Sequence, residues 1–318
     1  VNTVVSDGAG GWYIAGEFTQ VGADARNYIA KINADGSLSS WNPGADGYIN
    51  TLALSGNTLY VGGNFSNIAG QPRNSLASFN TTTGALNSWN PDAPNGDITT
   101  IAIDGSTVYI GGNFSMVGSE FRYNIAALDA STGSVTTWAP DADGGVTKIL
   151  INGGVAYVGG SFTLLGGQAR NNIGAVNTST GFATAWDPDA DELVITMAIS
   201  GTTLYVGGEF TTIGGASRDG GIAALSLSTG NATSWNALGP TGGIVESLVV
   251  SGGLLYTGGY FGFIGGQPRL NLVALDLTTG LANSWDPSIG GGGVICLATD
   301  GSGNIYAGGD FISVGWSK

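Results

Sequence analysis

Ile98-Thr99-Thr100-Ile101-Ala102-Ile103, Asp104-Gly105, then Thr107-Val108-Tyr109-Ile110-Gly111-Gly112-Asn113-Phe114 is the stretch that decides the fold. Two runs rich in β-branched and aromatic residues flank an Asp-Gly turn, the signal of a tight β-hairpin. A longer connection, Ser115 to Arg122, leads to a third apolar run, Asn124-Ile125-Ala126-Ala127-Leu128-Asp129. Thr132-Gly133 marks another turn, and Val135-Thr136-Thr137-Trp138-Ala139 forms a fourth run. Pro140 stops it, because proline cannot donate to a strand ladder. The unit reads as four short antiparallel strands.

The same unit recurs along the chain. Its signature appears as Ala15-Gly16-Glu17-Phe18, Gly62-Gly63-Asn64-Phe65, Gly111-Gly112-Asn113-Phe114, Gly159-Gly160-Ser161-Phe162, Gly207-Gly208-Glu209-Phe210, Gly258-Gly259-Tyr260-Phe261 and Gly308-Gly309-Asp310-Phe311. Successive Phe residues are 47 to 51 positions apart. A fixed period of this size, with four strands per unit, predicts an all-β fold, a β-propeller of four-stranded antiparallel blades. The blades fall at about 1–43, 48–91, 97–140, 145–188, 193–236 and 244–287, with a half blade at 294–318, all within a single domain, 1–318. Six and a half units point to seven blades, the last incomplete in this chain. Its two outer strands would come from further sequence or another molecule. A closed six-bladed ring with a surplus hairpin is the alternative. Turn glycines such as Gly105 and Gly133 are best explained by positive φ. They do not read as a phosphate cradle, because no helical period follows them.

Composition sets the outer limits. Gly accounts for 57 of 318 residues, far above the usual ~7%, without a collagen period. Nine basic against 23 acidic residues give a net charge of −14, which argues against nucleic acid and anionic membranes as partners. No apolar run approaches the ~18 residues of a membrane-spanning helix. The chain carries no signal peptide and no initiator Met, so it reads as a mature or excised segment. The single cysteine, Cys296, lies in an apolar run and reads as a small core residue. With no His in the chain it has no partner for thiol catalysis.

Several residue types recur in register. All six arginines, Arg26, Arg73, Arg122, Arg170, Arg218 and Arg269, occupy one position. A ring of cations gripping a polyanion is one reading. Fasteners inside each blade, donating to loop carbonyls or a carboxylate, are the preferred one. Trp41, Trp89, Trp138, Trp186, Trp235 and Trp285 are also in register and read as packing between neighbouring blades rather than as a sugar platform. Trp12 and Trp316 break the register, and Trp316, at a ragged end, is a candidate for exposure.

The connections between blades carry acids, at Asp92 and Asp97, at Asp141 and Asp143, and at Asp187, Asp189, Asp191 and Glu192. Closely spaced carboxylates are what Ca²⁺ requires, and the last cluster is the best metal candidate; solvated turn residues are the plainer reading. A glycoside-hydrolase acid pair needs one carboxyl raised by an apolar cleft, and Asp189 with Glu192 is a nominal pair only. Glu17, Glu209 and Asp310 follow the Gly-Gly position where other copies carry Asn, Ser or Tyr. Positions that differ between copies are where a ring builds an asymmetric site. Without His, the usual zinc and Ser-His routes are closed, and no catalytic residue is assigned. Sequons at Asn64, Asn80, Asn113, Asn177 and Asn231 are expected by chance in so Asn-, Ser- and Thr-rich a chain.

The order of apolar strand, turn, Tyr-x-Gly-Gly, a strand ending in Asp or Asn, Thr-Gly and Trp resembles the kelch propeller repeat. The fuller pattern, with Gly-Gly-x-x-Arg-Asn and Trp-x-Pro, is more similar still to the delta-60 repeats of bacterial secreted and surface propellers. That resemblance covers the whole chain and implies an extracellular or cell-surface location, but no reaction. The expectation is therefore a non-enzymatic structural or adhesive module that self-assembles through its incomplete blade. The alternative is a glycan- or protein-binding module on one face of the ring, and a carbohydrate-active enzyme ranks third. Partners would be protein or glycan at a cell surface, with no nucleic acid, no membrane insertion and no cofactor other than Ca²⁺.

Overall fold

A computed structural model describes residues 1–93, 95–218, 220–239 and 243–315; Trp316 lies outside them. The described residues form short strands and turns, and no helix occurs among them. In the third blade the strands are Asp97–Asp104, Thr107–Asn113 and Ile125–Asp129, paired antiparallel in that order. Blades one to six repeat this three-stranded sheet, and the seventh has Val294–Thr299 paired with Ile305–Gly309. The innermost strands touch in ring order, and that of blade seven also touches that of blade one. Cys296 Sγ lies 3.5 Å from the Val1 carbonyl across this closure, and Trp12 stacks on Tyr306 with ring centroids 4.0 Å apart. The fold is a seven-bladed β-propeller whose seventh blade has two of the regular strands.

Two details depart from the simple four-strand reading. The fourth run makes only one bridge in each complete blade, Leu128 with Val135 for example. Its backbone is then drawn off by other donors, because Arg122 Nη2 takes the Thr136 carbonyl at 2.7 Å and Trp138 turns inward. The Ser115–Arg122 connection contains a small hairpin of its own, Met116–Val117 with Glu120–Phe121, turning at Gly118 with φ +58°.

The core lies between blades rather than within them. One apolar layer joins Tyr60, Leu76 and Trp89 of blade two to Ile98, Val108, Ile110 and Phe114 of blade three, and similar layers follow around the ring. This explains the Gly-Gly signature. A Cβ on Gly111 would lie 2.5 Å from Val146 Cγ1 of the next blade, and one on Gly62 would lie 2.7 Å from Ile98 Cγ2. The first glycine is required by the neighbouring blade, not by its own φ. The second faces a carbonyl of the bulged innermost strand, Asp97 O in the case of Gly112.

Candidate functional site

The arginines are held inside the blades. Each Nη1 donates to the carbonyl of the preceding residue, and each Nη2 donates across to the fourth run, to Ser39, Asn87, Thr136, Thr184, Thr233 or Asn283, at 2.6–3.2 Å. Arg122, Arg170 and Arg269 add contacts of 3.3–3.7 Å to Glu120, Asp187 and Asp286. The guanidinium fork is therefore spent on loop carbonyls and presents no cation ring.

The in-register tryptophans pack edge-on against a Tyr of the same blade, centroids 5.1–5.5 Å apart. Trp41, Trp89, Trp138, Trp186 and Trp235 also donate Nε1–H to a carbonyl of the following blade at 2.9–3.1 Å. Trp285 has no such acceptor among the described residues and is 37% exposed, against 3–6% for Trp89, Trp138, Trp186 and Trp235.

The acidic connections serve local structure. Asp191 accepts from Thr211 and Thr212, Asp189 from Asn171 at 2.8 Å, and Asp187 from Arg170 at 3.3 Å, while Glu192 faces solvent. This corrects the expected Ca²⁺ set of Asp187, Asp189, Asp191 and Glu192. The left-handed turn at Asp189 (φ +54°) and the differing donors send the four carboxylates apart. Among the described residues no three His, Cys, Asp or Glu converge. Asp143 plays the same part as Asp191. Burial pushes its carboxyl up, but hydrogen bonds from Thr163 and Leu164 outweigh this and hold it below the ordinary value.

Two places are not consumed by blade architecture. The first is the outer edge of blade seven. In the sixth blade Leu254–Tyr260 pairs with Leu272–Asp276, so that Gly258 faces Leu272 and Leu255 faces Leu275. The equivalent edge, Ile305–Gly309, carries no third strand among the described residues. Beside it lies a groove of about 390 Å³ lined by Val4, Trp12, Ile14, Ile32, Tyr306 and Ala307. Tyr306 is 37% exposed where its counterparts Tyr13, Tyr60, Tyr109, Tyr157 and Tyr205 are 3–5% exposed.

The second is the central channel, a cavity of about 530 Å³ lined by the innermost strands. One tier of its wall holds Thr51, Thr100, Thr196, Ser247 and Cys296 at equivalent positions, each opposite the first glycine of the signature, with Lys148 at that position in the fourth blade. Glu246 stands beside Ser247 in the same cavity. Burial pushes the Glu246 carboxyl up, and Glu209 and Asp310 push it further. Asp310 accepts from Tyr260 Oη at 3.0 Å and from the Gly293 amide at 2.7 Å. Asp97 is raised by burial, and hydrogen bonds from Asn50 and Tyr48 only moderate this. Two of the variable post-glycine residues, Glu209 and Asp310, thus gather near Glu246. Lys148 was not singled out from sequence, although the signal is there, a lysine in one copy where the others carry small neutral residues.

The comparisons agree on the fold. A family model described as outer membrane protein assembly factor BamB matches residues 111–307, more than half of the chain. A second, a beta-propeller domain of unknown function (DUF5122), matches residues 10–38 and 57–88. No curated protein matches. Among solved structures, the WD40 beta propeller domain of Doa1 superposes with a TM-score of 0.66 at 10% identity, over 96% of this chain and 88% of that one. The computationally designed Ika8 protein does so at 0.63 and 14% identity, over 97% and 80%. The extracellular domain of the putative one component system BT4673 from B. thetaiotaomicron gives 0.63 at 15% identity, covering 98% of this chain but 37% of that one. At such identities these likenesses establish the propeller and no more.

Proposed function

The chain belongs to the propeller family described as outer membrane protein assembly factor BamB, and from that premise we propose that it is a non-catalytic binding and assembly module of the cell envelope or cell surface. The family description supports an envelope location, and the extracellular propeller of BT4673 is compatible with one. The repeat pattern is consistent with the kelch-like, delta-60 type. No helix among the described residues is long and apolar enough to cross a membrane.

The observation that carries this reading is the open edge at Ile305–Gly309. An unpaired strand beside an apolar groove is a template for strand addition. The six complete blades define what fits it. The incoming strand has an aliphatic residue opposite Gly308, in five of the six blades a small residue opposite the equivalent of Tyr306, and an apolar residue opposite Ile305, as in Leu272–Asp276. Its last carbonyl would receive the Trp285 Nε1–H, as Asp276 O receives that of Trp235 at 3.0 Å. The occupant is a strand pair carrying the repeat's own pattern, either from the same polypeptide or from a second copy; in the latter case head-to-tail contacts need not close and filaments result.

The test is to add a synthetic peptide with the sequence of Leu270–Pro287 to residues 1–318. Stoichiometric binding by titration calorimetry, absent with a scrambled peptide, supports the reading. No binding overturns it. Light scattering over a concentration series separates the two sources, since growth into long polymers identifies a second copy as donor. Binding of glycans to one face of the ring is the second reading, and the Glu246, Asp310 and Tyr260 cluster is where it would be sought.

A further inference from the structure

Lys148 is the one charged residue in its tier of the channel, between Thr100 and Thr196 of the flanking blades. Among the described residues it has neither a hydrogen bond nor an ion pair, whereas Lys31 is held by Asp7 at 3.1 Å. Its side chain is part-exposed to the channel, and desolvation there pushes the Lys148 amine below the ordinary lysine value. Its tier supplies hydroxyls rather than carboxylates, while Glu246 stands one residue from Ser247 in the same cavity. Thr100 Oγ1 already accepts from the Ile149 amide at 3.3 Å, and Ser247 Oγ from the Leu297 amide at 3.0 Å. A hydroxyl that accepts from a backbone amide keeps its own proton free to donate. Cys296, in the same tier, is neutral, because burial raises its thiol to about 11. On one side of this tier the wall is apolar, with Leu52, Ile101 and Leu297; on the other it carries Asn50, Thr99, Thr147 and Glu246 beside Ile195 and Ile295.

We propose that the central channel is a binding site for a small monocarboxylate, with Lys148 Nζ as its counter-ion and the Thr100 and Ser247 hydroxyls as its hydrogen-bond donors. A cation sharing its tier with hydroxyls, with aliphatic residues on one side, matches a carboxylate on a short aliphatic body. The cavity of about 530 Å³ holds such a molecule with water to spare. Glu246 and the acids beside it select against multiply charged anions, since a phosphate would meet like charge in the same cavity. The site is independent of strand addition at blade seven.

The chain has only three lysines, Lys31, Lys148 and Lys318, so NMR of lysine labelled with ¹³C at Cε and ¹⁵N at Nζ resolves the site directly. K148M assigns the signal, and its unchanged urea unfolding midpoint would confirm that the ring is intact. The expected result is a Lys148 signal that titrates below the ordinary lysine range and moves upward with added acetate or butyrate, while Lys31 stays fixed. K148M should bind butyrate about ten- to a hundred-fold more weakly, the loss of one charge-assisted hydrogen bond, and S247A several-fold more weakly. If acetate and butyrate move Lys148 no more than they move Lys31, the proposal falls and the amine is simply hydrated. If inorganic phosphate binds as tightly as butyrate, the assignment to a monocarboxylate falls. If K148M leaves butyrate affinity unchanged, Lys148 is not the counter-ion.

Discussion

At the residue scale, one side chain repeated around the ring performs two separable jobs. Five of the six in-register Trp residues fill an interblade layer, and the same five tie their blade to the next through Nε1–H. Trp138→Phe keeps most of the packing but removes one of the two donors to the Asn177 carbonyl, which retains the Gly181 amide, so it should cost about 0.5–1.5 kcal/mol in urea unfolding. Trp285→Phe should be close to neutral, because that indole has no acceptor among the described residues. Equal losses in the two variants would remove the interblade hydrogen bond from the account. The arginines follow a related logic. Each uses both terminal nitrogens on carbonyls, and each Nε is buried without a partner among the described residues. Register in the sequence marked both residue types as architectural. It could not show which tryptophan lacks a partner, because that depends on a strand that belongs to the next blade.

At the element scale, the blade is a three-stranded sheet finished by a bridge, a clamp and a cap. The Asp-Gly and Thr-Gly turns were legible because turn chemistry is local. The small hairpins at Met116–Phe121 and its equivalents were not, since two-residue strands have no periodicity to detect. The reason for Gly-Gly was not legible either, because it lies in the adjacent blade. Gly111→Ala should therefore destabilise by about 1–3 kcal/mol through overpacking against Val146. The double variant Gly111→Ala with Val146→Ala should recover part of that loss. A single variant as stable as the parent would show that the interblade distance is adjustable.

At the scale of the whole molecule, the ring distributes its charges unevenly, and this sets its response to acid. Hydrogen bonds from Ser131 and Thr132 hold Asp129 at about 2, and those from Asn304 and Ser302 hold Asp300 at about 2. Asp46, Asp143 and Asp191 are also lowered, with hydrogen bonds outweighing burial. Stability from these groups is present above the unfolded value of 3.8 and is lost as pH falls through their folded values. Asp97 and Glu246, raised by burial, act in the opposite sense. Their contribution is present at low pH and is lost as pH rises through their raised values. The urea midpoint should thus rise slightly on acidification from neutrality, then fall steeply from about pH 4 towards 2. Glu246→Gln should abolish the rise, and Asp143→Asn should shallow the fall. A midpoint independent of pH over this range would contradict the assignment.

The sequence by itself determined the repeat, the strand order within each unit, the turns, the seven-unit count and the structural standing of Arg and Trp. All of these follow from short-range periodicity and local backbone chemistry, which any one copy displays. Only the tertiary structure decided which residues meet across blades. It dispersed Asp187, Asp189 and Asp191 onto separate donors and left Glu192 in solvent, and it placed Val146 against Gly111. It left Trp285 and Tyr306 facing an unfilled edge, and it brought Lys148 into a channel of hydroxyls. These contacts join residues 17 to 50 positions apart, set by how the loops of a blade fold back, how one blade stacks on the next and how the ring closes.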